Sequence, residues 1–398
     1  MSSTTESYDR LSELKAFDDT KAGVKGLVDA GITSVPAIFR HPHQQLSSSS
    51  CSSISTSTTT ATRARTIPAI DLSASEGPDA RARWSSWSRR SAAETAGFFH
   101  LVNHGVPREL LSDALSSVRR FHESPPEAKR PYYTRDLTRR VRFNSNFDLF
   151  QSPAANWRDT LFFAAAPDEP PLAEEELPAA VRRAVPAYAA AARGVAARVL
   201  GLLSEALGLP RGRLAAMGCA DGASLVCNYY PPCPEPCRTM GCSAHSDPSF
   251  LTLLLQEPHA QGGLQARLGD GEEEDGWVDV PPVGDDGGGG GLLVNVGDLL
   301  QLVSNGRFRS VEHRVVANWS GDTARVSVAC FFNADIARST RLYGPIEELL
   351  ARPSESDGGD GGGARAVYRS VTVQEFLAHY DKKGLDGRPA LHHFLLPQ

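Results

Sequence analysis

Four short stretches hold the residues whose types and spacing could do chemistry. In Ala244-His245-Ser246-Asp247 an imidazole and a carboxylate stand two residues apart. On a β-strand such a pair points to one side, because strand side chains alternate with period two. Ser310-Val311-Glu312-His313-Arg314-Val315 also reads as a strand and offers a second imidazole. Two histidines and one carboxylate are the metal face of non-haem Fe(II) oxygenases, and they leave the opposite positions of the ion open. Arg325-Val326-Ser327 puts a cation and a hydroxyl on one face of a further strand. The planar arginine fork binds a carboxylate through two hydrogen bonds and stays charged. Asn228-Tyr229-Tyr230 adds two donors, Asn228 and Tyr230, by the same alternation. Together these residues describe a site for Fe(II) and a dicarboxylate co-substrate. One end of a 2-oxo acid chelates the iron, Arg325 holds the far carboxylate, and O2 takes the remaining position.

A second H-x-D, His379-Tyr380-Asp381, lies in a stretch of helical composition. Residues i and i+2 diverge on a helix, so this pair is expected to be a surface or packing feature. Arg325 alone would read as a core salt bridge; its company makes it a clamp. His100 and His104 have no carboxylate near them, and Asn103-His104-Gly105 has turn chemistry, so a structural role is expected for both.

The background is that of an ordinary soluble chain: 398 residues, 41% hydrophobic, 22% charged, net charge −6. No basic stripe is present for nucleic acid or an anionic membrane. No apolar run reaches the ~18 residues of a spanning helix, and Met1 to Glu6 lacks the basic start of a signal peptide. A cytoplasmic monomer acting on a small molecule is therefore expected. Of seven cysteines, Cys227, Cys233, Cys237 and Cys242 crowd one region, but their spacing matches no zinc or iron–sulfur pattern. Reduced, structural thiols are expected.

The elements that must position the site follow from pattern. Residues 1–43 form a helical extension, and 44–66 a Ser/Thr-rich linker too poor in apolar surface to pack. Residues 67–222 begin with a strand at 67–72 and continue with helices near 85–97 and 108–123. A long amphipathic helix spans Glu174 to Leu207, with a break expected at Pro186. From 223 to 335 short strands follow one another: Ser224–Tyr229, Phe250–Gln256, Gly263–Arg267, Trp277–Val280, Leu292–Val296, Leu300–Val303, Val311–Val316 and Arg325–Phe332. Strands of this length and spacing suggest a double-sheet jelly roll. Acidic-glycine tracts at 269–276, 285–291 and 355–364 are insertions, and residues 336–398 end in a helix near 373–382. The class is α+β with a mainly β core.

At this point the residues resemble a known family. Asn228-Tyr229-Tyr230-Pro231-Pro232-Cys233-Pro234, His245-x-Asp247, His313 and Arg325-x-Ser327 are similar to the motifs of plant 2-oxoglutarate/Fe(II)-dependent dioxygenases. Gly97-Phe98-Phe99 through Asn103-His104-Gly105 looks like the N-terminal region of that family. Phe17 to Gly31, Asn156-Trp157-Arg158-Asp159-Thr160-Leu161 and Tyr343-Gly344-Pro345-Ile346 resemble its 1-aminocyclopropane-1-carboxylate oxidase homologues, among them benzoxazinoid-glucoside dioxygenases of grasses. Ser246 departs from the usual threonine. The resemblance implies a double-stranded β-helix flanked by helices, with metal ligands His245, Asp247 and His313. Co-substrate would be held by Asn228, Tyr230, Arg325 and Ser327. It further implies O2 as oxidant, ascorbate as reductant, and a small specialised metabolite oxidised as 2-oxoglutarate becomes succinate and CO2. Family position puts Phe143, Val226, Phe331 and Asn333 on the substrate wall.

Two rival readings exist. An ethylene-forming oxidase would keep the iron ligands and use ascorbate in place of 2-oxoglutarate; the Asn-x-Tyr pair and the N-terminal extension speak against it. A metal-free or zinc-holding binding module would share the jelly roll, since fold does not dictate function, but it has no need of the Arg325–Ser327 pair.

Overall fold

The computed structural model describes residues 9–42, 67–73, 97–165, 172–258, 263–268, 276–283, 290–351, 364–385 and 388–397. The Ser/Thr-rich linker, the helix expected near 85–97 and most of the three acidic-glycine tracts lie outside the described residues.

The chain enters through α1 (Arg10–Asp19), whose first turn is capped by Asp9 accepting from the Leu11 and Ser12 amides, and α2 (Gly23–Asp29). Leu14, Phe17, Val24, Ile38 and Phe39 bury themselves against Trp157, Leu149, Cys233 and Ala317. The Val24 and Lys25 amides both donate to the Asp159 carboxylate at 2.8 Å. The opening segment is thus stapled to the run that carries residues 149–159.

Then come β1 (Ala69–Asp71), β2 (Phe98–Val102), α3 (Arg108–Glu123), β3 (Val141–Asn144) and β4 (Asp159–Ala165). After these, α4 (Ala184–Ala206) begins ten residues later than its apolar pattern. Pro186 falls in its first turn, where a missing amide proton goes unused, so the expected break does not occur. The rest is β5 (Gly222–Tyr230), β6 (Met240–His245), β7 (Leu251–Gln256), β8 (Leu264–Arg267), β9 (Trp277–Asp279) and β10 (Leu292–Val296). These are followed by α5 (Asp298–Val303), β11 (His313–Val316), β12 (Arg325–Asn333) and α6 (Val373–Lys383).

Among the described residues the strands form two sheets, β1-β2-β10-β7-β12-β5-β4-β3 and β6-β11-β8-β9. This is the jelly roll with flanking helices. One expectation fails: Leu300–Val303 belongs to α5, a helix with Leu299, Leu300, Leu302 and Val303 all buried. A short apolar run looks the same as a strand or as a buried helical turn, and Gly297-Asp298 starts a helix here.

Register decides which side chains face inward. β12 pairs antiparallel with β5, so that Tyr229 lies opposite Val326, Cys227 opposite Val328 and Leu225 opposite Cys330. That face packs on helices: the His122 ring of α3 stacks on Tyr229 at 5.0 Å, and Tyr188 of α4 meets Cys330. The alternate residues face the small sheet, where Tyr230 lies against Gly241 of β6 and Phe98 meets the His313 ring at 5.3 Å.

Among the described residues Cys219, Cys227, Cys233, Cys242 and Cys330 are free and buried, as expected. Cys237 is disulfide-bonded and departs from that expectation.

Candidate metal and co-substrate site

His245 is the last residue of β6 and His313 the first of β11, directly opposite in the antiparallel register. Their rings come within 4.3 Å, centre to centre. Each Nδ1 lies near a backbone carbonyl of its own strand: Ser243 for His245 at 2.8 Å and Val311 for His313 at 3.1 Å. A carbonyl only accepts, so each Nδ1 carries a proton, which leaves Nε2 as the nitrogen each ring can offer to a metal. Both Nε2 atoms turn toward Asp247 Oδ1, at 3.8 Å from His245 and 3.3 Å from His313. One donor atom from each of the three residues lies within 4.8 Å of the others.

Asp247 reaches this position from beyond the end of β6, not by strand alternation as expected. Its carboxylate is 2% exposed. Burial pushes its pKa up, but the His313 and His245 rings and a hydroxyl bond from Thr252 outweigh that and hold it below the carboxylate range. Burial also lowers the His245 pKa, which favours the neutral imidazole a metal needs. The donor set fits a divalent ion: two neutral nitrogens, one ionised oxygen, each fixed by its neighbours.

Arg325 and Ser327 stand opposite Tyr230 and Asn228 on the inward face, so the four expected co-substrate residues share one wall. The guanidinium is 7% exposed and lies 4.8 Å from the Tyr230 ring centre. Gln256 accepts from its Nη2 at 2.7 Å. Nε and Nη1 are buried with no partner. A buried cation with two idle donors is costly, and a carboxylate is the group that matches them. Asn228 accepts from the Thr160 hydroxyl at 3.1 Å.

Val226, Phe331 and Asn333 lie on the same inward face, by the register that pairs Val226 with Ala329. Phe143 does not join them. It pairs with Leu161, which pairs with Cys227 on the helix face, and its fully buried ring packs edge-on against Phe121, His122 and Tyr133. We therefore expect Phe143→Ala to lower unfolding stability by about 3–5 kcal/mol, the usual cost of emptying a core phenylalanine site. Co-substrate affinity should not change, as titration of the folded variant would show; a weakened affinity would return Phe143 to the site.

His379 and Asp381 sit on α6, with the His379 ring stacked on His393 at 4.2 Å. They are not among the residues that converge. His104 has the structural role expected, facing the Gly290 carbonyl at 3.0 Å and accepting from the Val106 amide at 3.1 Å. The sequence reading missed Gln256, Thr252, Asn295 and Asp298. A signal for Asn295 was present: one polar residue in the otherwise apolar, wholly buried run of β10.

Residues 222–334 match the 2OG-Fe(II) oxygenase superfamily, and residues 67–182 match the N-terminal region of the non-haem dioxygenase in morphine synthesis. The 1-aminocyclopropane-1-carboxylate oxidase homolog 3 of Arabidopsis thaliana is 44% identical over 388 residues, covering 97% of both chains. The chain belongs to the 2OG-Fe(II) oxygenase superfamily. A homolog from Solanum lycopersicum is 41% identical over 98% of each chain. The crystal structure of JOX2 in complex with 2OG, Fe and JA is 27% identical, with a TM-score of 0.74 over 94% of this chain and 98% of that one. The rice dioxygenase for auxin oxidation shares the fold, with a TM-score of 0.62 at 24% identity over 83% of this chain and all of that one. This oxygenase is thus a plant-type dioxygenase whose cofactors are Fe(II) and 2-oxoglutarate. No described helix is long and apolar enough to cross a membrane.

Proposed function

We propose that this dioxygenase hydroxylates a small specialised plant metabolite, acting as a cytoplasmic monomer. In this reading His245, Asp247 and His313 hold Fe(II), and Asn228, Tyr230, Arg325 and Ser327 hold 2-oxoglutarate. The observation that carries it is the Arg325 guanidinium, buried on the same inward wall as Ser327 with Nε and Nη1 unpartnered. An enzyme relying on ascorbate alone has no dicarboxylate to place there.

Bound iron and 2-oxoglutarate supply the oxidising chemistry, in which O2 is consumed and the co-substrate leaves as succinate and CO2. The chain supplies geometry. Arg325 and Ser327 take the distal carboxylate, Tyr230 lies beside the guanidinium, and Asn228 stands opposite Ser327 on the same wall. The two histidine Nδ1–H groups, tied to Ser243 and Val311, keep both rings aimed at one point. The sheets exclude bulk water from that point, and Val226, Phe331 and Asn333 line the space where the metabolite lies. JOX2, which holds 2OG, Fe and JA together, supports a small-molecule substrate for this fold.

The purified protein, given Fe(II), 2-oxoglutarate and ascorbate, should release succinate in step with oxidation of one member of a metabolite library, gaining one oxygen by mass. It should make no ethylene from 1-aminocyclopropane-1-carboxylate. Turnover with ascorbate in the absence of 2-oxoglutarate would hand the site to the oxidase reading.

A further inference from the structure

We propose that the corner between β10 and α5, through Asn295 and Asp298, positions Asp247 so that a single carboxylate oxygen is offered to the metal. This rests on the ligand set proposed above and concerns residues outside it.

Asn295 Nδ2 lies 3.1 Å from Asp247 Oδ2. An ionised carboxylate only accepts, so the amide nitrogen is the atom that faces it. The bond engages Oδ2 and leaves Oδ1, the oxygen near both histidine Nε2 atoms. The corner then grips the backbone of the same loop. Asp298 N–H donates to the Asp247 carbonyl at 2.8 Å, Leu299 N–H to Ser249 at 3.2 Å and Gly297 N–H to Phe250 at 3.1 Å. The Asp298 carboxylate accepts from the Ser246 hydroxyl at 3.0 Å, and burial lifts its pKa to about 6. Ser246 is therefore pinned on one side of the loop and Asp247 on the other. Serine keeps the hydroxyl this contact needs where threonine is usual. The close approach requires glycine at 297, since a Cβ there would run into the Ser249 carbonyl.

A second observation points the same way. Asn295 Oδ1 is buried and has no partner. Half-satisfied buried amides are rare and call for a reason. An apolar residue would suit β10 better unless the Nδ2 bond to Asp247 were needed. The consequence for the metal is direct. A carboxylate free to turn can chelate through both oxygens and take a position that the co-substrate or O2 must use; with Oδ2 engaged, it takes one.

The test titrates metal-free protein with Co(II), whose visible ligand-field absorption reports coordination number. Asn295→Leu keeps the volume and removes the donor; Asn295→Ala is the companion should the leucine disturb folding. Loss of an outer partner of a metal ligand typically costs about 10- to 100-fold in affinity, and that loss is expected in both variants. The absorption should change with it, while the melting temperature of the metal-free protein stays near that of wild type. Asp247→Ala is the reference and should lose roughly 10²- to 10³-fold in Co(II) affinity, the share of one ligand. Wild-type affinity and spectrum in both Asn295 variants would overturn the positioning role while the ligand set stands. Wild-type binding by Asp247→Ala would overturn the ligand set, and this inference with it.

Discussion

Alanine at His245, Asp247 or His313 should abolish turnover and cut Fe(II) affinity by roughly 10²- to 10³-fold, with little change in the melting temperature of the metal-free chain. The size follows from sharing. Protein metal sites of the zinc kind bind with about 10–16 kcal/mol over four ligands, so each ligand accounts for roughly 2.5–4 kcal/mol. Three ligands leave no reserve to compensate for one. The fold does not depend on the ion, because the core around it is a continuous set of buried apolar side chains from both sheets and the helices. Anaerobic Fe(II) titration and calorimetry measure both quantities. His379→Ala and Asp381→Ala serve as controls that should bind iron normally, since they sit on α6, where the His379 ring stacks on His393 and Asp381 feels the charge of Arg142. Iron loss in either control, or near-normal turnover in any one ligand variant, would move the metal site.

Arg325→Lys should weaken 2-oxoglutarate by roughly 10- to 150-fold, the range set by a charge-assisted hydrogen bond of about 1.5–3 kcal/mol. The charge survives; the fork does not. Two buried donors, Nε and Nη1, are without a partner in the wild-type chain, and a single ammonium offers no planar fork to a carboxylate. It also abandons the stack over Tyr230 at 4.8 Å and the planar contact with Gln256. Iron affinity should hold, because Arg325 contributes no ligand. Tyr230→Phe should cost less, since it removes one hydroxyl and keeps the ring under the guanidinium. Isothermal titration of 2-oxoglutarate into the Fe(II)-loaded, oxygen-free protein separates these cases. An unchanged affinity in the lysine variant would mean that the distal carboxylate rests elsewhere.

Much of this was written in residue type and spacing alone. Chelation needs particular atoms, so His245, Asp247, His313, Arg325 and Ser327 could be picked out before any fold was known. Alternation along a strand is local geometry, which is why Asn228 and Tyr230 were placed on one face correctly. The same local rules failed wherever the answer depended on partners distant in sequence. Family position, not local spacing, put Phe143 on the substrate wall, and the register through Leu161 and Cys227 turns it toward α3. Leu300–Val303 had strand composition, but it coils into a helix that buries Leu300, Leu302 and Val303. Asp247 meets the histidines because a loop, not a strand, carries it there, and that loop is held by Asn295, Asp298 and Gly297 from another part of the chain. Nothing in the local spacing of those residues reveals that contact, since hydrogen bonds across some fifty positions are set by how the sheets close. The sequence by itself determined which residue types could bind iron and 2-oxoglutarate; tertiary packing decided that Asn295 engages Oδ2 of Asp247 while Oδ1 lies near the two histidines, and which donors of Arg325 stay free.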